Sequence, residues 1–296
     1  MGAQLRIILN PASGPSRAKI GDWTWLLDLA TAMHWSAHIV TSEQKGDIER
    51  LVKEGMAQGV QRILIIGGDG SINEAIQILA NSEVELAILP AGTSNILANE
   101  LGIPDDYSAA AQIAFTGKPK AIDLGLANDR YFALMVGVGY DAVVTEFMWP
   151  QLKKMAGQAA YTLAGIQSFL MHRASRMTVQ IDRGRKMRRL VYMLVVANTR
   201  LYGHANAMVA EHADVQDGLF DLSIFRARTW YHVIISLLRV LGRIPMPFER
   251  VENHRCQQVV VRSARRVAYQ LDGDPAGYLP VEVKMSPHAL KVIIPS

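Results

Sequence analysis

Three segments of the chain carry residue types suited to holding phosphate: Asn10-Pro11-Ala12-Ser13-Gly14, Gly67-Gly68-Asp69-Gly70-Ser71-Ile72-Asn73-Glu74 and Pro90-Ala91-Gly92-Thr93-Ser94-Asn95. Glycine lets the backbone approach a ligand closely, and a helix that follows such a loop offers unpaired N–H groups to an anion. The Walker A pattern G-x-x-x-x-G-K-[ST] occurs nowhere in the chain, so this is a cradle of another kind. Asp69 in its middle repels phosphate unless a divalent cation or its water shell stands between them, which implies Mg²⁺. Taken alone, the loop also reads as a tight strand-to-helix turn with Asp69 as a solvated cap. Asn-Pro and Ser-Gly are likewise ordinary turn dipeptides. The signal is that all three segments follow apolar runs.

Those runs define the elements that must position the loops. From Gln4 to about Leu126, short β-rich stretches alternate with helical ones: LRIILN, a helix from Trp23 to His34, AHIVT, a helix from Asp47 to Gly59, RILIIG, a helix from Ile72 to Asn81, and ELAILP. This alternation predicts a parallel sheet covered by helices, and RILIIG and ELAILP are apolar enough to be buried on both faces. Such a sheet binds its ligand outside the carboxyl ends of its strands, where the three loops would converge. Beyond Asp123 strand follows strand, with helices expected only near 150–172 and 229–242, and Arg183-Gly184-Arg185 reads as a hairpin turn. The expectation is an α/β domain over 1–125 followed by a β-sandwich or barrel domain over 126–296.

Composition agrees with two folded domains: 296 residues, half of them apolar and a fifth charged, at roughly 100–200 residues per domain. A net charge of +4 is too diffuse for a dedicated nucleic-acid binder. The single Cys256 excludes an internal disulfide framework, and no Cys and His cluster has zinc-ligand spacing, so a reducing, cytoplasmic setting is expected. The apolar run at Leu5 is interrupted by Arg6 and is too short for a signal peptide. The uncharged stretch from Met155 to Met171 contains Gln158, Thr162, Gln167 and Ser168 and reads as a buried helix, not a membrane span.

NPASG, GGDGSINEA and PAGTSN together resemble the nucleotide-binding motifs of the diacylglycerol kinase catalytic-domain family, which includes bacterial lipid kinases and sphingosine kinases. The resemblance continues through VGVGYDA (136–142), the stretch from Asn198 to DGLFD (217–221), and LDGD (271–274). It implies an α/β domain like that of phosphofructokinases and NAD kinases, then a β-sandwich, and transfer of the γ-phosphate of ATP to a lipid hydroxyl in the cleft between them. By the same resemblance Gly67, Gly68, Asp69, Gly70, Ser71, Ile72 and Asn73, with Asn10, Thr41, Thr93 and Asn95, hold ATP, and Asp69 acts on its Mg²⁺. Asp214, Asp217 and Leu219 match a second, structural Mg²⁺ site, although Asp217-Gly218 also reads as a hairpin turn. Asp274 takes the place of the family's general base, a glutamate, and is shorter in reach by about 1.5 Å. Read without the resemblance, Asp272-Gly273-Asp274-Pro275 is a polar turn.

Two further departures concern the acceptor side. Ile96 stands where many diacylglycerol kinases have an aspartate, and Tyr202-Gly203-His204-Ala205 replaces a glycine-rich run, with His204 read as a neutral structural residue. Gly137-Val138-Gly139-Tyr140-Asp141-Ala142 matches G-x-G-x-x-A, but nothing acidic lies between Glu146 and Asp182, so a dinucleotide site is not expected there. NAD kinase shares the GGDG loop, and NPASG and LDGD speak against it. A catalytically weak lipid- or nucleotide-binding regulatory protein is the alternative from another class.

Between His172 and Val191 stand Arg173, Arg176, Arg183, Arg185, Lys186, Arg188 and Arg189 against one acid, Asp182, a patch that attracts anionic headgroups. Thr229 to Arg243 adds a basic amphipathic pattern. The alternative readings are a solvated charged face for the first and a helix packed on the sandwich for the second. The two stretches carry the expectation of peripheral association with the inner face of a membrane, and surface aliphatics of the β domain allow a homodimer.

Overall fold

The computed structural model describes residues 3–13, 23–140, 142, 174–202, 207–208, 210, 212–226 and 251–295. The helices expected near 150–172 and 229–242, and with them His204 and the amphipathic stretch from Thr229, lie outside the described residues. The chain forms two compact units that interleave along the sequence. One comprises Met1–Leu134, Asn198–Gly218 and Met285–Ser296, the other Met135–Ala197 and Leu219–Lys284. A single division at 125/126 follows the order of the chain, whereas the first unit also draws on two later segments.

The first unit opens with β1 (Ala3–Leu9), α1 (Trp25–Ala32), β2 (Trp35–Thr41), α2 (Asp47–Ala57), β3 (Arg62–Gly67), α3 (Asp69–Leu79) and β4 (Glu85–Pro90). The four strands pair in parallel in the order β2-β1-β3-β4. Their register makes Leu9, Thr41 and Ile66 neighbours at the carboxyl end. β3 is buried along its whole length, as a central parallel strand with helices on both faces must be. α2 buries Ile48, Leu51, Val52 and Gly55, a stripe at i, i+3, i+4 and i+7. α4 (Ile96–Glu100), α5 (Tyr107–Thr116), β5 (Lys118–Ala127) and β6 (Arg130–Phe132) follow. The alternation read from the sequence lacks α4 and α5, because α4 has five residues and the alanines at 109, 110, 111 and 114 give α5 little contrast between its faces.

One boundary matters for the site. The expected helix from Ile72 begins at Asp69, so Asp69, Gly70 and Ser71 form the first helical turn, with Gly68 as its cap. Glycine disfavours helix interiors, which hides this turn in the sequence, but the first turn needs few intrahelical bonds and tolerates it.

The second unit is built from antiparallel sheets, which resolves the choice between sandwich and barrel in favour of the sandwich. One sheet has the order β14-β13-β10-β7-β16-β17, formed by β7 (Met135–Gly139), β10 (Met193–Ala197), β13 (Phe220–Phe225), β14 (Val251–Cys256), β16 (Ala268–Leu271) and β17 (Asp274–Tyr278). The other sets β8 (Ser175–Ile181) beside β9 (Met187–Val191) and β15 (Gln258–Ser263), and β15 beside β18 (Val281–Ile294). The short strands β11 (Leu201–Tyr202) and β12 (Ala207–Met208) pair with each other and belong to the first unit. Asp182 and Arg183 both have positive φ, and Gly184 N–H returns to Ile181 O at 2.7 Å. The β8–β9 connection is therefore the expected tight hairpin. Gly137 and Gly139 lie within β7, a central strand, and not in a nucleotide loop.

Candidate functional site

The order β2-β1-β3 sends successive connections to opposite sides of β1, so a topological switch point opens between the carboxyl ends of β1 and β3. The NPASG and GGDG segments leave the sheet there. Asn10 N–H donates to Ile66 O at 3.0 Å, which carries the ladder one residue beyond β1. Asn10 Nδ2 donates to Ser71 Oγ at 2.8 Å, and Ser13 Oγ lies 3.3 Å from the same oxygen. Gly68 N–H donates weakly to Ser13 Oγ at 3.4 Å. Ser71 in turn occupies the space of a side chain at residue 67: a Cβ on Gly67 would stand 2.5 Å from Ser71 Oγ.

The third loop packs on the second, backbone to backbone. A Cβ on Gly68 would stand 2.8 Å from Gly92 Cα, and one on Gly92 would stand 2.5 Å from Gly68 Cα. Distances under 3 Å to backbone leave no room for any side chain. Asp69 ties the same two loops electrostatically: its Oδ2 accepts from Ile96 N–H at 3.1 Å and its Oδ1 from Leu97 N–H at 3.2 Å. The carboxylate thus caps α4 while standing in the first turn of α3, and both ends are favourable for a negative charge. By contrast a Cβ on Gly70 meets nothing within 4 Å, so the exposed side of the α3 N-terminus is open to an anion.

The other residues expected to hold nucleotide divide into two groups. Thr41, at the end of β2, and Thr93 are exposed at the carboxyl edge of the sheet. Asn95, Asn73 and Ile72 are buried. Asn95, in a left-handed conformation, organises its own loop: Oδ1 accepts from Gly92 N–H at 2.8 Å and Nδ2 donates to Asp105 Oδ1 at 3.3 Å. Asn73 Oδ1 accepts from Arg130 Nη2 at 3.4 Å. Ile96 is buried, and its N–H is one of the Asp69 donors. Glu74 Oε2 accepts from Gly46 N–H at 3.0 Å, and partial burial pushes this carboxyl above its ordinary value of 4.5 against the pull of the backbone donors.

Asp214 and Asp217 share one turn, in which Gln216 N–H donates to Asp214 Oδ1 at 3.1 Å and Asp217 N–H to Asp214 O at 3.4 Å; Leu219 follows as the first residue of the second unit's later segment. Among the described residues no group of three or more His, Cys, Asp or Glu converges as metal ligands. The turn is held by a residue that sequence reasoning missed. Asp123 is 0 % exposed, and its Oδ2 accepts from Gly218 N–H and its Oδ1 from His288 N–H, each at 2.7 Å. Asn198 Nδ2 donates to Asp123 O at 3.0 Å and Ala133 O at 2.8 Å, while its own Oδ1 is buried without a partner among the described residues. The available signal was a lone acid inside the apolar strand β5 and a lone amide just past the end of β10.

Asp274 belongs to the second unit. Leu271 and Asp274 pair across β16–β17, and Asp272 and Gly273 between them have φ of 50° and 87°, so the polar turn is a two-residue hairpin of the Asp-Gly kind. Asp272 anchors it to β7 by accepting from Met135 N–H at 2.9 Å and donating its own N–H to Met135 O at 3.1 Å. Gln270 Oε1 accepts from Gly273 N–H at 2.7 Å. Asp274 is half-buried on the strand that leaves the turn.

Comparison with known proteins bears on the whole chain. The diacylglycerol kinase catalytic domain matches residues 4–127, and the YegS C-terminal NAD kinase beta sandwich-like domain matches residues 134–294. A probable lipid kinase YegS-like protein of Pseudomonas putida is 32% identical over 285 residues, covering 95% of this chain and 90% of its own. A diacylglycerol kinase of Bacillus subtilis is 29% identical over 294 residues, covering 98% and 96%. The crystal structure of a diacylglycerol kinase from Bacillus anthracis superposes with a TM-score of 0.73 at 19% identity, over 99% of this chain and 97% of that one, and so shares the fold. With both of its domains matched in order, the chain belongs to the YegS-like lipid kinases of the diacylglycerol kinase family.

Proposed function

We propose that this lipid kinase transfers the γ-phosphoryl group of ATP to the hydroxyl of a diacylglycerol, sphingoid base or related lipid, with Mg²⁺ as cofactor. One observation carries the reading: two glycine loops packed Cα against Cα beside a switch point, with the first turn of α3 open at Gly70. That arrangement presents backbone N–H groups, not side chains, to a polyphosphate. Thr41 and Thr93 would flank it, and Asn10 and Ser13 would fix the loop through Ser71. Asn73, Ile72 and Asn95 act from beneath, by holding the backbone in place.

The donor set fits Mg²⁺. Asp69, bonded to the Ile96 and Leu97 N–H groups at the first turn of α3, supplies the hard carboxylate oxygen type that a hydrated Mg²⁺ takes. Mg²⁺ held there would neutralise phosphate charge during transfer. Asp214, Asp217 and the Leu219 carbonyl offer oxygen donors for a second ion that would brace their turn. Asp274 would accept the proton of the lipid hydroxyl as its oxygen bonds to the γ-phosphorus and the bond to the ADP oxygen breaks.

The test is transfer of labelled γ-phosphate from ATP with Mg²⁺ to a lipid panel in mixed micelles. Transfer to one lipid class, lost in both Asp69→Asn and Asp274→Asn, is expected. No transfer to any lipid while ATP still binds would favour a regulatory binder.

A further inference from the structure

The β9-β8-β15-β18 sheet has two unlike faces. Met177, Val179, Val191, Val259, Val261, Val281 and Val283 alternate along its strands and are buried. Residues of the opposite parity face outward, and register sets Arg188, Thr178 and Arg262 in one row across three strands and Arg176 beside Leu190 in the next. Arg176, Arg188 and Arg262 are exposed. None of the three guanidinium groups has an ion pair among the described residues. Leu190, at 46% exposure, is the most exposed large apolar side chain described. Glu282 is the one acid in these strands facing this way; it pairs with Lys284 and also attracts Arg262, so one acid stands against four cations.

Basic residues on β9 alone would be explained by its position at the sheet edge, where charge blocks pairing with another chain. That explanation does not reach Arg262, on β15, or Arg176, on β8, since both strands have a neighbour on each side. A positive field spread over the face of a sheet, in excess of its one acid and set around an exposed leucine, is complementary to a surface that is itself broad, anionic and apolar just beneath. We infer that this face is a docking surface for a bilayer containing anionic phospholipid, with Arg176, Arg188 and Arg262 on the headgroups and Leu190 inserted between them. The inference rests on the lipid-kinase reading only for the biological sense of the surface; the charge geometry stands without it.

A basic residue near an anionic membrane contributes roughly fivefold in partitioning, so three together amount to about 100-fold. The test is co-sedimentation of the full chain with vesicles of phosphatidylcholine, with and without phosphatidylglycerol, across a salt series. R176Q/R188Q/R262Q is compared with K53Q/K118Q/K120Q, which removes equal charge from the first unit, and thermal midpoints establish that both variants fold. Expected are binding only with phosphatidylglycerol, weakening with salt, and a loss of about 100-fold confined to the arginine variant. Equal binding by the two variants, or binding indifferent to anionic lipid, overturns the inference, as does arginine-dependent binding to RNA with none to vesicles. Phosphorylation of a short-chain, water-soluble acceptor is read in parallel. The arginine variant should retain it, and its absence in the wild type would count against the kinase reading and not against the surface.

Discussion

The glycine loops of the first unit and the Asp272-Gly273 hairpin of the second are both polar turns, yet they are held in opposite ways. The loops are fixed by exclusion, since Gly68 and Gly92 touch through their Cα atoms and no side chain fits between them. The hairpin is fixed by bonding, through Asp272 on Met135 and Gln270 on Gly273. The first kind of restraint forbids substitution at the contact. The second acts through the side chains of Asp272 and Gln270, beside Asp274 on the strand that leaves the turn.

The sharpest challenge to that contrast is Gly92→Ala. Its Cβ has no room, so a loss of about 1–3 kcal/mol of stability is expected, with ATP binding abolished, by thermal melts and calorimetry. Gly70→Ala is the internal control. It should hold or gain up to about 1 kcal/mol, because alanine is the better helix former, while weakening ATP binding by blocking the open side of α3.

Asp69→Asn comes next. It removes the negative charge from two backbone acceptor bonds, and should cost about 1–2 kcal/mol along with at least about 100-fold in transfer rate. In the hairpin, Asp272→Ala should destabilise by about 1–2 kcal/mol through the orphaned Met135 N–H, whereas Asp274→Asn should lower the melting temperature less and remove transfer. Asp274→Glu restores about 1.5 Å of reach and should preserve or raise the rate. A melting temperature that falls with Asp274→Asn as far as with Asp272→Ala would dissolve the distinction.

The smallest effect is in Glu74. Its carboxyl is raised by burial above 4.5, so in the window just above that value the folded state holds more protons than the unfolded one. Its contribution is full below 4.5 and declines as pH rises through the folded value. Glu74→Gln, which keeps an oxygen for Gly46, should gain stability relative to the wild type as pH rises from acid to neutral. Melts across that range would show the widening gap.

What the sequence reveals here is what local chemistry controls. β3 and β4 are legible because continuous apolar strands need both faces covered, and the loops because glycine and small polar residues recur at strand ends. The β-sandwich follows from repeated strands without intervening helices. The Asp123 hub is not legible, because its donors lie 95 and 165 residues away and nothing local marks Gly218 or His288 as their source. The full length of β18 is also hidden. Ser286, Pro287 and a positive-φ His288 interrupt its alternation, so VEVKM alone reads as the strand. Asp69 shows an intermediate case, since its acidic character within a glycine loop is visible while its bond to α4 depends on how two loops meet.

β18 also sets a schedule for the ribosome. The first unit needs the backbone near Ala289 against Asn81, and His288 N–H on Asp123, but that segment emerges roughly 160 residues after the end of β5, a delay of about 8–30 s at usual elongation speeds. During that interval the nascent α/β layer exposes the edge of β4 and a carboxylate lacking first both of its donors and then, once Gly218 has emerged, one. Slower translation over the intervening β-rich stretch therefore lengthens that exposure.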